Sequence, residues 1–319
     1  MKTPTGKDVK RCVDLLQKGQ VVALPTETVY GLAANGLDES AVKKIFEAKQ
    51  RPLSNPLILH FLHADAILPY ITDFPKVLQQ LAQQFWPGPL TLLLPKSKLV
   101  PEVITAGNVK VAVRVPSHPL FREVLSQLDF PLAAPSANLY GTISPTEAAH
   151  VSEQMQQRIP YILDGGSCNH GLESTIIGLD KDAIIVYRLG SIPIEAIVET
   201  TELPVFIKNQ NGAQPLTSGM VKYHYSPDTP FYFFDSHLTP EKNAGFIFFN
   251  KTRAAFPIEN QLILSETSNM EEAAQKLYAA MHAMDQKGFS QLYIEQFPEE
   301  GLGKTINDRL NRATAKYEK

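Results

Sequence analysis

The chain has 319 residues, 44% of them hydrophobic, and a formal net charge of -3. That is enough apolar material for a proper core, and the length favours two domains over one. The near-neutral balance excludes a molecule that holds nucleic acid by its overall field, so any RNA contact requires a local basic patch. The cysteines Cys12 and Cys168 form no CxxC. They argue against a disulfide scaffold or a cysteine zinc site and suit a reducing cytoplasm. The N-terminal residues lack the apolar stretch of a signal peptide, and no segment approaches the length of a membrane span. A cytoplasmic protein without membrane association is expected.

In chain order, Val9, Cys12, Val13 and Leu16 recur at i, i+3, i+4 and i+7. The spacing predicts an amphipathic helix with Asp8 near its start and Gly19 as its stop. QVVALP (20–25) reads as a short strand, and PTETVYGL (25–32) as the turn beyond it. SAVKKIFEAK predicts a helix with Val42, Ile45 and Phe46 on its apolar face. PLILHFL reads as a strand, FPKVLQQLAQQF as a helix, and LTLLLP and VAVRVP as strands. Ser117 stands where it could cap a helix reaching about Leu128. PLAAPSAN, YILDGG, STIIGL and AIIVYRLG complete an α/β domain.

Residues 208–227 are rich in turn formers and poor in apolar periodicity, which predicts an inter-domain linker. The linker holds Tyr223, His224 and Tyr225 together, a composition suited to docking rather than floating. Beyond it, FYFF, AGFIFF, LILS and QLYIE alternate with a long helix from Met270 to Lys287, which predicts a small parallel sheet. GLGKTINDRLNRAT closes the chain as a helix. GLGKT resembles the end of a P-loop, but Pro298 occupies the position of the required glycine, so a glycine turn before a helix is the better reading.

The candidate chemistry lies in the first domain. Cys168 and His170 sit at i and i+2 in a glycine loop, a spacing that rarely brings a thiol and an imidazole together. No histidine stands at a metal-ligand spacing, so magnesium is expected only as an ion carried on a nucleotide, with no dedicated protein site. In KQRPLSNPLILH (49–60), Lys49 and Arg51 taken alone are an ordinary helix end, where cations complement the dipole. Pro52 and Pro56 then stiffen the segment, Ser54 and Asn55 add polar groups, and His60 lies within an apolar strand. Cations on a rigid turn beside such a strand suit a polyanion, most simply a triphosphate. Arg114 interrupts another apolar strand and requires a carboxylate or phosphate. Ser136 and Asn138, Ser174 and Thr175, and Arg188 each stand at a strand edge, which together suggests a shared pocket.

PTETVYGL, KQRPLSNPLILH, VRVP, PSAN, DGG with GLEST, and YRLG, in that order, resemble the Sua5/YrdC/YwlC family. SGMVKYHYSP and GLGKTINDRLNRA resemble the linker and closing helix of its longer, two-domain form. The resemblance implies an α/β fold: a YrdC-like twisted open sheet with a basic concave pocket, plus a small Rossmann-like C-terminal Sua5 domain. The corresponding boundaries are 1–207, a linker or lid over 208–229, and 230–319. It also implies L-threonylcarbamoyladenylate synthase activity, a nucleotidyl transfer that uses L-threonine, bicarbonate and ATP and releases pyrophosphate. A partner system then passes the threonylcarbamoyl group to adenosine 37 of tRNAs reading codons that begin with A, giving t6A. Direct tRNA contact is compatible with this role.

By the same resemblance, Thr28, His60, Arg114, Ala134 and Ser174 are threonine-binding, with Arg114 on the substrate carboxylate. Lys49, Arg51, Asn55, Lys110, Ser136, Ser144, Arg188 and Tyr223 are ATP-binding. Lys222 and Tyr223 stand in the reverse of the order found in many relatives. No covalent nucleophile is expected. The alternatives are an RNA-binding module of the same fold and a carbamoyl-adenylating enzyme of the hydrogenase-maturation kind, whose acylphosphatase and zinc-finger segments are absent from this sequence.

Overall fold

The computed structural model describes residues 3–208, 223–235 and 243–317. Residues 209–222, which hold much of the expected linker and Lys222, lie outside the described residues. Among the described residues, no helix is long and apolar enough to cross a membrane.

The first sheet is built from β1 (Thr5–Gly6), β2 (Val22–Leu24), β3 (Gly31–Asn35), β4 (Ile58–His60), β5 (Leu90–Pro95) and β6 (Lys110–Arg114). It continues with β7 (Leu132–Ala133), β8 (Ile162–Leu163), β9 (Thr175–Asp180), β10 (Ala183–Arg188) and β11 (Val205–Ile207). The order across the sheet is β1-β8-β2-β3-β7-β4-β6-β5-β9-β10-β11. Pairing is mixed: β4 runs parallel to β6, whereas β2–β3, β5–β6 and β9–β10 are antiparallel. Gly31 and Leu32, read from sequence as the end of a turn, begin β3 (GLAAN). It contains no β-branched residue, and its small side chains are buried between neighbours on both sides.

Helices lie on both faces of this sheet, because Val22, Leu24, Ala33 and Leu132 enter one helix-packed core and their strand neighbours Ala23, Leu32, Ala34 and Ala133 enter another. In α1 (Val9–Gln17), the Asp8 side chain accepts from the backbone N–H of Arg11 at 2.9 Å, and Cys12, Val13 and Leu16 face inward. In α2 (Glu39–Lys49), Asp38 caps the start, and Gln50 takes a left-handed conformation (φ 54°) that turns the chain out of the helix. α3 (Lys76–Phe85) buries Leu78, Leu81 and Ala82. The helix expected after Ser117 is α5 (Pro119–Leu125), following the short α4 (Glu102–Thr105); His118 precedes it without a side-chain cap. α6 (Ala148–Gln154) and α7 (Ile194–Thr200) complete the set.

The second sheet is wholly parallel, in the order β12-β15-β13-β14: β12 (Phe231–Phe233), β13 (Ala244–Phe248), β14 (Gln261–Ile263) and β15 (Gln291–Ile294). It packs on α8 (Met270–Asp285) and α9 (Leu302–Thr314). The core between them also includes Val29, Ile143 and Leu172 from the first sheet's loops, together with Tyr225. The two modules therefore share one apolar seam. Gly171 lies in that seam at φ 71°, with its Cα so close to α8 that a Cβ would stand 2.4 Å from the Gln275 carbonyl oxygen.

Candidate active site

The floor of the site follows from register. His60 ends β4 and lies directly opposite Arg114 at the end of β6, and Arg114 in turn lies opposite Thr91 on β5. Their strands carry Ile58, Ala112 and Leu93 in one apolar cluster deeper in the sheet. The period of two along a strand keeps Ile58, His60, Ala112 and Arg114 on the same face, so an apolar surface becomes polar where the strands end.

Arg114 is nearly wholly buried. Its Nη2 lies 2.7 Å from Glu27 Oε1, its Nη1 donates to Thr28 Oγ1 at 3.1 Å, and its Nε donates to the Gly88 carbonyl at 3.3 Å. Neither Glu27 oxygen makes a directed side-chain hydrogen bond, so the pair is held by charge and proximity. Burial pushes the Glu27 carboxyl up, but the Arg114 guanidinium outweighs it and holds the group below the usual range. Burial and then the Arg114 charge drive His60 down to about 3, so its ring is neutral, and its buried Nδ1 has no hydrogen-bond partner.

One wall is formed by the loop before β9 and the end of β10. A register shift between Val186 and Arg188 re-aims Arg188. Its Nη2 donates to the Ser174 carbonyl at 2.8 Å and to Ser174 Oγ at 2.9 Å, and Ser174 Oγ also meets Thr91 Oγ1 at 2.7 Å. The adjacent Glu173 is a buried hub. Its carboxylate accepts from Ser144 Oγ (2.7 Å), Tyr278 Oη (3.1 Å) and Arg309 Nε (2.8 Å). Burial raises its pKa, but Arg309 and then Arg188 more than offset this and bring it to about 2.

The opposite wall is the turn after α2. Arg51 donates through Nε to the Asn55 carbonyl (3.3 Å) and through Nη2 to the Pro56 carbonyl (3.0 Å), and it is drawn down to about 10 chiefly by burial. Lys49 Nζ donates to the Ser136 and Asn138 carbonyls, each at 2.6 Å. Burial and then the Arg51 charge hold its pKa well below the usual lysine value. Asn55 Nδ2 reaches Tyr140 Oη at 3.4 Å, while its buried Oδ1 has no partner. His224 and Tyr225 close the top. The His224 ring meets Tyr140 edge-on, and Tyr225 stacks on Tyr278 under the Arg309 guanidinium.

These groups enclose a cavity of about 50 Å³. Of the residues singled out from sequence, it brings together Thr28, His60, Arg114, Ala134, Ser136, Ser174, Arg51 and Arg188. Asn138 and Thr175 do not line it, nor do five of the residues assigned to ATP. Lys49 stands behind Ser136, tied to the backbone of PSAN. Asn55 is turned toward Tyr140. Ser144 is spent on Glu173. Lys110 begins β6, four residues before Arg114, and reaches the Leu179 carbonyl at 3.4 Å; at about 3.3 Å per residue it stands roughly 13 Å along the strand from the floor. Tyr223 is 50% exposed, and its neighbours His224 and Tyr225 line the cavity instead. Cys168 is buried with its thiol pushed up, chiefly by burial.

The sequence reading passed over Glu27 and Glu173 although both stood in its motifs. Either acid could have been flagged, because an acid among buried apolar residues needs a cation. Arg309 carried a weaker signal. Thr305, Arg309 and Arg312 fall on one helical stripe beside the apolar stripe of Ile306, Leu310 and Ala313.

A family model described as "Telomere recombination", covering Sua5, YciO and YrdC, matches residues 14–190, and a second, "Threonylcarbamoyl-AMP synthase, C-terminal domain", matches residues 192–315. A threonylcarbamoyl-AMP synthase of Pyrococcus abyssi is 37% identical over 96% of this chain and 94% of its own. One from Bacillus subtilis is 35% identical over 96% of this chain and 92% of its own. The crystal structure of P. abyssi Sua5 complexed with L-threonine superposes with a TM-score of 0.90 at 34% identity, covering 99% of this chain and 98% of that one.

Proposed function

Because this chain belongs to the family of Sua5, YciO and YrdC proteins, we infer that it is an enzyme that makes threonylcarbamoyl-AMP. The reaction joins L-threonine, bicarbonate and ATP and releases pyrophosphate, a nucleotidyl transfer. The observation that carries this reading is the convergence of Arg51, Arg114 and Arg188 with neutral His60 and Ser174 on one buried cavity.

Threonine is assigned to the floor. Arg114 is the natural partner of its carboxylate, and the unpartnered ring nitrogen of His60 suits one of its hydroxyl or amine donors. The triphosphate is assigned to Arg51 and Arg188, with Lys49 bracing the Ser136 loop between them. The threonine amine attacks the bicarbonate carbon, a carbon–oxygen bond breaks and water leaves, giving a carbamate. A carbamate oxygen attacks the α-phosphorus, and the bond to the pyrophosphate oxygen breaks with its electron pair leaving on pyrophosphate. Such a displacement depends on alignment and charge stabilisation rather than on a protein nucleophile. Magnesium is proposed to arrive on the phosphates, since that ion needs few protein ligands or none. Among the described residues, no group of three or more His, Cys, Asp or Glu side chains is placed to hold a metal. The product would pass to a transferase system that modifies tRNA.

A cavity of about 50 Å³ is far smaller than the roughly 300–1,000 Å³ of a small-molecule site. Entry of ATP therefore requires the segment carrying His224 and Tyr225 to withdraw and then close again as a lid that excludes water. Tyr225 sits at φ 67°, a left-handed conformation that a tyrosine adopts at a cost. That strain favours a segment with a second position. Pyrophosphate release from ATP, measured with and without L-threonine and bicarbonate, tests the reaction. Release is expected only when all three substrates are present, and release independent of threonine overturns it.

A further inference from the structure

Four strands form the edges of the two sheets: β1 and β11 in the first, β12 and β14 in the second. An edge presents unpaired N–H and C=O groups, and proteins ordinarily guard it with charge, proline, a bulge or a covering element. Among the described residues, three of these edges expose no large apolar side chain. The exception is β11. Phe206 is 57% and Ile207 52% exposed, and Val198 on the adjoining α7 is 50% exposed. Pro204 and Lys208 flank the strand, and neither interrupts it.

The backbone of β11 has one side engaged and one side open. β11 runs parallel to β10, with Phe206 opposite Ile185. Ile184 N–H donates to the Pro204 carbonyl and Lys208 N–H to the Val186 carbonyl, each at 2.9 Å. Alternation along the strand then turns the N–H and C=O of Phe206 toward β10 and those of Val205 and Ile207 away from it. The outward groups have no protein partner among the described residues, because β11 ends the sheet. The side chains divide by the same period. Val205 packs against the core that holds Ile197 of α7, and Phe206 stands on the opposite face.

We propose that β11 pairs antiparallel with β11 of a second copy of this chain, about a two-fold axis at Phe206. The strand's own register selects this occupant. With Phe206 opposite Phe206, Val205 of each copy faces Ile207 of the other, and each such pair exchanges two backbone hydrogen bonds. Every outward N–H and C=O of the strand is then met. Val205 and Ile207 touch on the helix face and the two Phe206 rings touch on the other, cross-strand pairs of the kind that stabilise sheets. Lys208 of one copy lies opposite Pro204 of the other, and Glu202 precedes that proline by two residues. Long side chains reach such a diagonal neighbour, and both Glu202 and Lys208 are exposed. Centring the axis on Val205 or on Ile207 instead would set Phe206 against Pro204 or Lys208 and lose the match. The strand has 3 residues, so the contact belongs to the small, reversible class of interfaces. The proposal is independent of the ligand assigned to the cavity.

Sedimentation velocity of the full-length chain from about 1 μM to about 1 mM, the span of weak affinities, should show a monomer that becomes a dimer. Ile207→Pro is the most direct variant, because it removes an N–H that makes no bond within the protein and sets a ring on the open edge. It should stay monomeric throughout with an unchanged circular dichroism melt, and Phe206→Lys takes its place if it does not fold. Glu202→Lys should weaken the dimer several-fold, and Glu202→Lys combined with Lys208→Glu should recover it. Register is read by cross-linking. A non-hydrogen-bonded antiparallel pair holds its Cα atoms about 4.5 Å apart, within the roughly 4.4–6.8 Å of a disulfide. Phe206→Cys should therefore give a disulfide-linked dimer under mild oxidant. Ile258→Cys, also exposed but away from β11, should not, and the native Cys12 and Cys168 are buried. A wild type that is monomeric across the range overturns the proposal. So does a dimer that Ile207→Pro, or Phe206→Lys in its place, leaves intact, a double charge swap no tighter than Glu202→Lys alone, or a Phe206→Cys chain that links no faster than Ile258→Cys.

Discussion

Arg114 and Arg309 each meet a buried glutamate, at 2.7 and 2.8 Å, yet the surroundings of the two carboxylates differ. Glu173 receives hydrogen bonds from Ser144, Tyr278 and Arg309. Glu27 has the Arg114 charge beside it and no directed side-chain hydrogen bond on either oxygen. Burial works against both ionised groups, and the neighbouring guanidinium reverses it in both. A saturated pair of the Glu173 kind fastens two pieces of structure together, here the loop before β9 and α9. A pair held by proximity alone, here between the turn after β2 and the end of β6, fastens its two pieces less firmly.

The largest expected effect tests the saturated pair. Glu173→Gln leaves the buried Arg309 with Asp308 as its carboxylate partner and withdraws an ionised acceptor from Ser144 and Tyr278, and breaking a buried pair from one side costs about 3–5 kcal/mol. Urea denaturation of the full chain should show a loss of that size. A loss no larger than that of the matching change at Glu27 would erase the contrast.

Next in size is the response to acid. His60 beside the floor, and His224 and His282 beside the wall, are each pushed by burial down to about 3. The unfolded chain takes up these protons at about pH 6.5, while the folded chain resists until about pH 3. Folding stability is therefore fully present above pH 6.5 and falls as the pH drops below it. Each such group contributes about 1.4 kcal/mol per pH unit, or about 2 kcal/mol between pH 6.5 and 5. Glu173, whose folded value is about 2, adds its own loss only below about pH 4.5, the ordinary range of a free glutamate. Unfolding midpoints at pH 7, 6 and 5 should therefore fall before any carboxylate titrates. His282→Gln should flatten that slope by about one proton's worth, 1.4 kcal/mol per pH unit, and a flat wild-type profile would contradict the neutral buried rings.

The smallest effect sharpens the loose pair. Glu27→Gln also leaves a buried guanidinium, but one that keeps its hydrogen bonds to Thr28 and the Gly88 carbonyl, so a loss no greater than about 3 kcal/mol, the lower end for a broken buried pair, is expected in the same urea experiment. A loss equal to that at Glu173 would mean that proximity alone stabilises as much as a saturated set.

Much of this was legible in order. The periodicity of Val9, Cys12, Val13 and Leu16 marked α1, and all three residues from Cys12 onward are buried. The strand–helix alternation after residue 230 marked a parallel sheet, which is how β12 to β15 pair. His60 and Arg114 stood out as polar residues in apolar strands. What escaped was local weakness of signal. GLAAN has the composition of a turn or a helix, and only its pairing with β2 and β7 makes it a strand. Tyr223 and His224 look equally able to face a ligand in sequence, yet one is half exposed and the other lines the cavity.

The amino-acid sequence by itself determined which segments are helical or extended, and which buried polar residues need partners, because periodicity and desolvation are properties of short stretches. The tertiary structure alone decided which partners they receive. Register sets His60 beside Arg114. The turn after β2 brings Glu27 to Arg114, and the docking of α9 brings Arg309 to Glu173, 136 residues away in the chain. Charge pairing acts through space and is blind to sequence separation, so no local pattern could have named those pairs.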